Sequence, residues 1–242
     1  MSGGWRALEE EPLDGWVARF SGGVSKRANS VLPTSEPPDV FSAIAAAESR
    51  YARRGLPAVF QISPDALPQD LDAVLARRGY AMDSPTLVQY LPLAETGDQP
   101  PLGVDARIEL ANLPSEAWLA ALWEVEGPHD APSRDVSRSI LTNTESIYAS
   151  LVAGGAVEAV ARLALVGNLG GIYSVATREP FRSRGHGRAV VRALLGEASK
   201  RRLAGVWLQV VEANLAARAL YESLGFEDVS RYHYRVGPAA RP

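Results

Sequence analysis

Arg182-Ser183-Arg184-Gly185-His186-Gly187 stands between a strand-like run over 171–176 and a helix-like run over 188–202. The two glycines let the backbone turn tightly and present several N–H groups in one direction. The following helix adds the positive end of its dipole, so the segment reads as a turn that holds linked phosphates without a metal. Arg182, Arg184 and Arg188 place positive charge where an anion would lie. Gly-x-Gly alone occurs in many ordinary loops, so the surrounding residues decide the reading.

Downstream come a predicted strand over 205–211, then Asn214, then a helix carrying Ala217 and Tyr221 and closed by Gly225-Phe226. Arg182-x-x-Gly185-x-Gly187 followed by Asn214-x-x-Ala217-x-x-x-Tyr221-x-x-x-Gly225-Phe226 resembles the GNAT superfamily of N-acetyltransferases, over roughly residues 104–236. The resemblance implies acetyl-CoA as cosubstrate and a mixed, mostly antiparallel sheet flanked by helices. It also implies site residues. The strand before the turn would splay from its neighbour, so that backbone groups of Val175, Ala176 and Thr177 pair with the pantetheine arm and an N–H faces the thioester oxygen. The amides of Ser183, Arg184, Gly185, His186, Gly187 and Arg188 would take the diphosphate, with Arg182 as the scaffold ahead of them. Asn214 would cap its helix and touch the pantetheine arm. Tyr221 would protonate the leaving thiolate.

The composition agrees with an ordinary globular chain and removes several chemistries. The 242 residues are 46% hydrophobic and 22% charged, with a formal net charge of −3. A balance of that sign gives no field for nucleic acid. Cysteine is absent, so a Cys-acyl intermediate, thiolate metal sites and disulfides are excluded. The histidines, His129, His186 and His233, lie far apart without ligand spacing, so no metal is expected. No apolar run approaches the length of a membrane span and the amino terminus has no leader pattern, so a cytoplasmic protein is expected. The sequence leaves monomer and homodimer open.

Turn formers without periodicity over 93–103 read as a linker between a first part, 1–92, and a catalytic domain, 104–242. The second part reads strand (104–110), helix (115–125), a loop over 127–132, helix (133–143), and strands over 146–153, 156–166 and 169–177. Gly154-Gly155 and Gly167-Asn168 are the hairpin signals between those strands. A strand, a helix and a strand close the chain, giving an α/β fold with helices on both faces.

The first part repeats the grammar of the closing segments. Its helix over 40–54, strand over 58–62, helix over 68–78 and Gly79-Tyr80 can be laid beside 188–226, with Leu75 in the place of Tyr221. The counterpart of the phosphate turn, near 32–40, has no Gly-x-Gly, two carboxylates and three prolines that remove N–H donors. The first half therefore reads as a degenerate GNAT-like copy that cannot cradle an anion. A hairpin is expected over 14–31, turning at Ser21-Gly22-Gly23. Its Trp16, Arg19, Arg27 and Asn29 either bind an acceptor or serve the hairpin itself.

The general base is left open among Glu158, Tyr173, Glu212, Asp130 and His129. The function expected is direct acetyl transfer to a primary amine, on a small molecule or on a protein. An acyl-CoA-binding sensor without catalysis is the alternative from another class. A Rossmann domain is disfavoured, because Val190 stands where a third glycine would be needed.

Overall fold

The computed structural model describes residues 2–93, 106–126 and 130–238. Of the linker expected over 93–103 all but Leu93 lies outside the described residues, as do the start of the strand expected at Val104 and the loop residues Gly127, Pro128 and His129. In chain order the first elements are β1 (Glu9–Leu13), β2 (Trp16–Phe20), β3 (Val31–Leu32), α1 (Val40–Ala52), β4 (Val59–Ile62), α2 (Leu71–Arg77) and β5 (Ala81–Pro92). There follow β6 (Ala106–Ala111), α3 (Glu116–Glu126), α4 (Ala131–Thr142), β7 (Ser146–Ala153), β8 (Ala156–Val166), β9 (Leu169–Thr177), α5 (His186–Lys200), β10 (Gly205–Val211), α6 (Leu215–Glu222) and β11 (Glu227–Val236). The fold is mixed α/β, with sheets flanked by helices.

The chain forms two compact units, each of which borrows from distant segments. The first comprises residues 6–88, 210–218 and 228 onward; the second comprises 89–209 and 219–227 together with the first five residues, as far as they are described. Strand order in the first unit is β1-β2-β3-β4-β11-β5, and in the second it is β5-β10-β9-β8-β7-β6. Strand β5 gives its first eight residues to one and its last four to the other.

In the first unit the observed hairpin differs from the expected one. Asp14 and Gly15, at φ 48° and 90°, form the turn that pairs Leu13 with Trp16, so β1 and β2 are the two arms. Residues 24–31, expected as a strand, instead contain a 3-10 turn over Lys26–Ala28, and only Val31 and Leu32 pair with β2. The reason lies in Asn29. Its Oδ1 accepts from the amides of Ser21 (2.7 Å) and Gly23 (2.9 Å), which holds 21–29 as a closed loop rather than an extended arm.

Two of the four residues named for this hairpin, Trp16 and Arg19, are committed to the interior of the unit. Buried Trp16 donates Nε1–H to the carbonyls of Ser35 and Leu67, both at 3.0 Å, and stands edge-on to Phe60 at 5.7 Å. Arg19, 2% exposed, spends its guanidinium on the Ser30 carbonyl and hydroxyl and on Gln61 Oε1. These groups hold the core of the first unit.

The second unit follows the expected order. Its β7, β8 and β9 form an antiparallel meander whose two-residue turns, Gly154-Gly155 and Gly167-Asn168, bring Ala153 opposite Ala156 and Val166 opposite Leu169. Helix α5 buries Val190, Val191, Leu194, Leu195 and Ala198 against β7, β8 and β9. At about 1.5–3 kcal/mol for each large apolar side chain removed from water, that stripe fixes where the head of α5 lies relative to the end of β9.

Candidate functional site

The head of α5 is built by two left-handed residues. Ser183 has φ 62°, and Gly185, the residue before the helix, has φ 80° and ψ 4°. No side chain caps this end, and Ala189 is the residue whose amide returns to the carbonyl of Gly185, at 3.0 Å. The amides ahead of it have no partner within the helix, as in the first turn of any helix. In the first unit, α1 begins differently. Asp39 Oδ1 accepts from the Ser42 amide at 2.7 Å, so a carboxylate of the chain itself already occupies that helix end.

Strand β9 changes partners beside the turn. It pairs in parallel with β10 from Leu169↔Gly205 to Ile172↔Leu208, and the ladder stops there. Towards β8 the register breaks between Val160 and Arg162, opposite Ser174, whose φ is 52° and whose buried Oγ has no hydrogen-bond partner among the described residues. Such a bulge increases local twist and re-aims the strand. Val175, Ala176 and Thr177 thus follow the bulge with pairing on the β8 side, Val160↔Ala176 and Ala159↔Thr177.

The turn sits against the end of that strand. A β-carbon on Gly187 would stand 3.4 Å from Thr177 Oγ1 and 3.7 Å from Leu220 Cδ2. The arginines are anchors. Arg182 donates Nε–H to the Thr177 carbonyl at 3.3 Å, Arg188 donates to Ser223 Oγ at 2.6 Å, and the exposed Arg184 lies over the Phe181 ring at 5.6 Å.

Tyr221, 7% exposed, lies edge-on to Phe226 at 6.0 Å, and burial pushes its hydroxyl up to about 12. Its hydroxyl has no partner among the described residues, so it carries a proton that nothing in the chain holds. Asn214 caps α6, with Oδ1 accepting from the Ala217 amide at 3.1 Å.

The structure separates the residues considered as bases. Tyr173 is buried; its hydroxyl accepts from Trp207 Nε1–H at 3.2 Å, and the Trp5 ring stands 5.5 Å away. Asp130 caps α4 by accepting from the Ser133 amide at 2.8 Å. Glu212 is held through its backbone, its amide donating to the Pro85 carbonyl at 2.8 Å. Glu158 is brought to His186: Oε2 lies 3.1 Å from Nδ1, although the ring does not align an N–H with that oxygen. Sequence spacing could not show this meeting, since 28 positions separate the pair.

Among the described residues no group of three or more His, Asp or Glu side chains is placed to hold a metal ion, and no helix is long and apolar enough to cross a membrane.

Comparison with known proteins bears on the family and the fold. A family model described as "Probable histone acetyltransferase Rv0428c C-terminal" matches residues 1–235. An uncharacterized N-acetyltransferase, YobR of Bacillus subtilis, is 28% identical over 241 residues, 96% of this chain and 94% of its own. The ribosomal protein bS18-alanine N-acetyltransferase of Escherichia coli is 41% identical over 59 residues, 24% of this chain and 40% of its own. Among solved structures, a GCN5-related N-acetyltransferase from Kribbella flavida superposes with a TM-score of 0.69 at 15% identity, over 96% of this chain and 90% of that one. The chain belongs to the Rv0428c C-terminal acetyltransferase family and is a GNAT acetyltransferase.

Proposed function

We propose that this chain transfers acetyl from acetyl-CoA directly to a primary amine, both substrates being bound together. The observation that carries the reading is the pairing of an uncapped helix start at 183–188 with a bulged, splayed β9 at 174–177. That arrangement fits the coenzyme: free amides suit linked phosphates, and a strand edge without a partner suits an amide-bearing arm. The coenzyme supplies a thioester whose carbonyl is open to a nucleophile.

The chain's own residues do the rest. The amides of Ser183, Arg184, Gly185, His186, Gly187 and Arg188 hold the diphosphate, while Arg182 fixes the turn through the Thr177 carbonyl. Backbone groups of Val175, Ala176 and Thr177 align the arm and point an N–H at the carbonyl oxygen. Asn214 shapes the start of α6 and contacts the arm. Tyr221 Oη, protonated because of its burial, gives its proton to the departing sulfur. With no cysteine in the chain, the neutral amine nitrogen attacks without a Cys-bound acyl group, the C–S bond breaks, and the proton the nitrogen sheds restores the Tyr221 phenol.

Initial rates with acetyl-CoA and a panel of amines, read as released thiol, test the reading. Intersecting reciprocal plots support it. Parallel plots, or acetyl-enzyme formed without acceptor, overturn direct transfer; coenzyme binding with no thiol released to any amine indicates a sensor.

A protein amino group is a second reading of the acceptor. It is favoured by the description of the matched family and by the bS18-alanine N-acetyltransferases, both of which name protein acceptors.

The domain reading, 1–92, 93–103 and 104–242 with a degenerate first copy, is part of the same proposal. It draws support from matched helix ends. Leu56 N–H returns to Tyr51 O at 3.0 Å after Gly55 at φ 68°, and Leu203 N–H returns to Ala198 O at 3.1 Å after Arg202 at φ 56°. Tyr80 N–H meets Leu75 O and Phe226 N–H meets Tyr221 O, both at 3.1 Å.

A further inference from the structure

We propose that two copies of this chain pair through β6, edge to edge and antiparallel, about a two-fold axis at Ile108. Strand β6 ends the strand order of the second unit. It pairs with β7 from Ala106↔Ala153 to Ala111↔Tyr148, and among the described residues no strand lies on its other side. Its outward N–H and C=O groups are therefore a template for another strand. Lysine, proline and bulges commonly close such an edge. Ala106-Arg107-Ile108-Glu109-Leu110-Ala111 contains no lysine or proline and keeps one unbroken register with β7.

Strand β1, at the edge of the first unit, is closed by its own sequence, Glu9-Glu10-Glu11-Pro12-Leu13. Pairing β1 with its own copy about Glu9, Glu10 or Glu11 sets glutamate against glutamate, and Pro12 has no N–H to give.

Self-pairing of β6 has few registers to choose from. Residues directly opposite in an antiparallel pair point to the same face, so the two-fold axis must relate one residue to its own copy. Centred on Arg107 or on Glu109, the register brings two like charges together. Centred on Ile108, it sets Arg107 opposite the second copy's Glu109, and Glu109 opposite that copy's Arg107. Those side chains are 72% and 52% exposed and stand 2.7 Å apart within one chain, so each charge gains a second opposite neighbour. On the other face of the strand, Ala106 and Ile108 are half-buried and Leu110 is 42% exposed. The same register lays Ile108 beside Ile108 and Leu110 beside Ala106 across the axis, which removes apolar surface from water. Charge, pleat and apolar pattern thus agree on one isologous contact whose occupant is a second copy of this chain.

The test is sedimentation equilibrium of the full chain, wild type against Arg107→Glu and Glu109→Arg, with folding checked by circular dichroism. Both side chains are exposed, so the fold tolerates either change. The wild-type chain should dimerise at about 100 µM or below, and more weakly as salt rises. Each substitution alone opposes like charges at two places and should raise the dimer Kd about tenfold or more. In an equimolar mixture one variant presents only glutamates at these positions and the other only arginines, so every opposed pair is complementary again. The mixture should therefore return to within about threefold of the wild-type Kd. A wild-type chain that stays monomeric overturns the inference. So do single variants that dimerise as tightly as wild type, or a mixture no tighter than its components.

Discussion

Gly187 packs on Thr177, a β-carbon on the glycine standing at an ordinary van der Waals distance of 3.4 Å from the threonine Oγ1. Gly185, two residues earlier, has open space in the same direction but a φ of 80°. Gly185 is therefore required by its backbone conformation, whereas at Gly187 a methyl group would meet only ordinary van der Waals contacts.

Gly185→Val should strain the turn by about 1–2 kcal/mol, because a branched residue resists the left-handed region. The helix behind it remains packed, so the fold survives. Coenzyme affinity should fall about tenfold or more as the amides turn apart, measured by calorimetry alongside thermal unfolding. Unchanged affinity would show that these amides do not hold the phosphates. Gly187→Ala, whose methyl group would meet only ordinary contacts, should bind nearly as well as the wild-type protein.

Tyr221→Phe should lower turnover by about 10²- to 10⁴-fold with coenzyme affinity nearly intact. The raised hydroxyl also carries a stability consequence at high pH. The neutral form is favoured in the fold, so its contribution is complete below the ordinary value of 10 and is lost as pH rises through about 12. Turnover equal to wild type would make the hydroxyl a packing group.

In the first unit, Asp72 accepts from Arg235 Nε–H at 2.7 Å and from its terminal N–H at 2.9 Å, and lies 2.7 Å from His233 Nε2. The Arg235 contacts, opposed by partial burial and aided by His233, lower the carboxyl from 3.8 to about 2. A lowered carboxylate contributes stability that is complete above 3.8 and lost as pH falls through about 2. Asp72→Asn should cost about 1 kcal/mol at neutral pH once solvent screening is allowed for. The cost should vanish near pH 2, as read by urea denaturation across pH. An acid limb identical to wild type would remove this account.

Asp39→Ala uncaps α1 and should lower the denaturation midpoint of the first unit while leaving coenzyme affinity unchanged. A gain of coenzyme binding at that helix would contradict the reading of the first half as a degenerate copy.

Much of the second unit was legible because its signals are local. Strands 146–153, 156–166 and 169–177 match residue for residue, since the Gly-Gly and Gly-Asn turns set their register within two residues. The first unit was read less well. Asp14-Gly15 reads locally as the start of a strand rather than as a turn, and β5 has no strand signal of its own, because Pro85 and the run Leu87-Val88-Gln89-Tyr90-Leu91 hide any alternation.

Residues within a few positions of one another fixed the glycine-bearing turn ahead of α5, the helical stripe on α5 and the hairpins, since dihedral preference and apolar spacing act over that range. Tertiary folding alone decided which amides stay uncapped, where β9 leaves β10, and that Glu158 and His186 face each other. Those outcomes depend on packing between segments far apart in the chain, a coupling that no local spacing encodes.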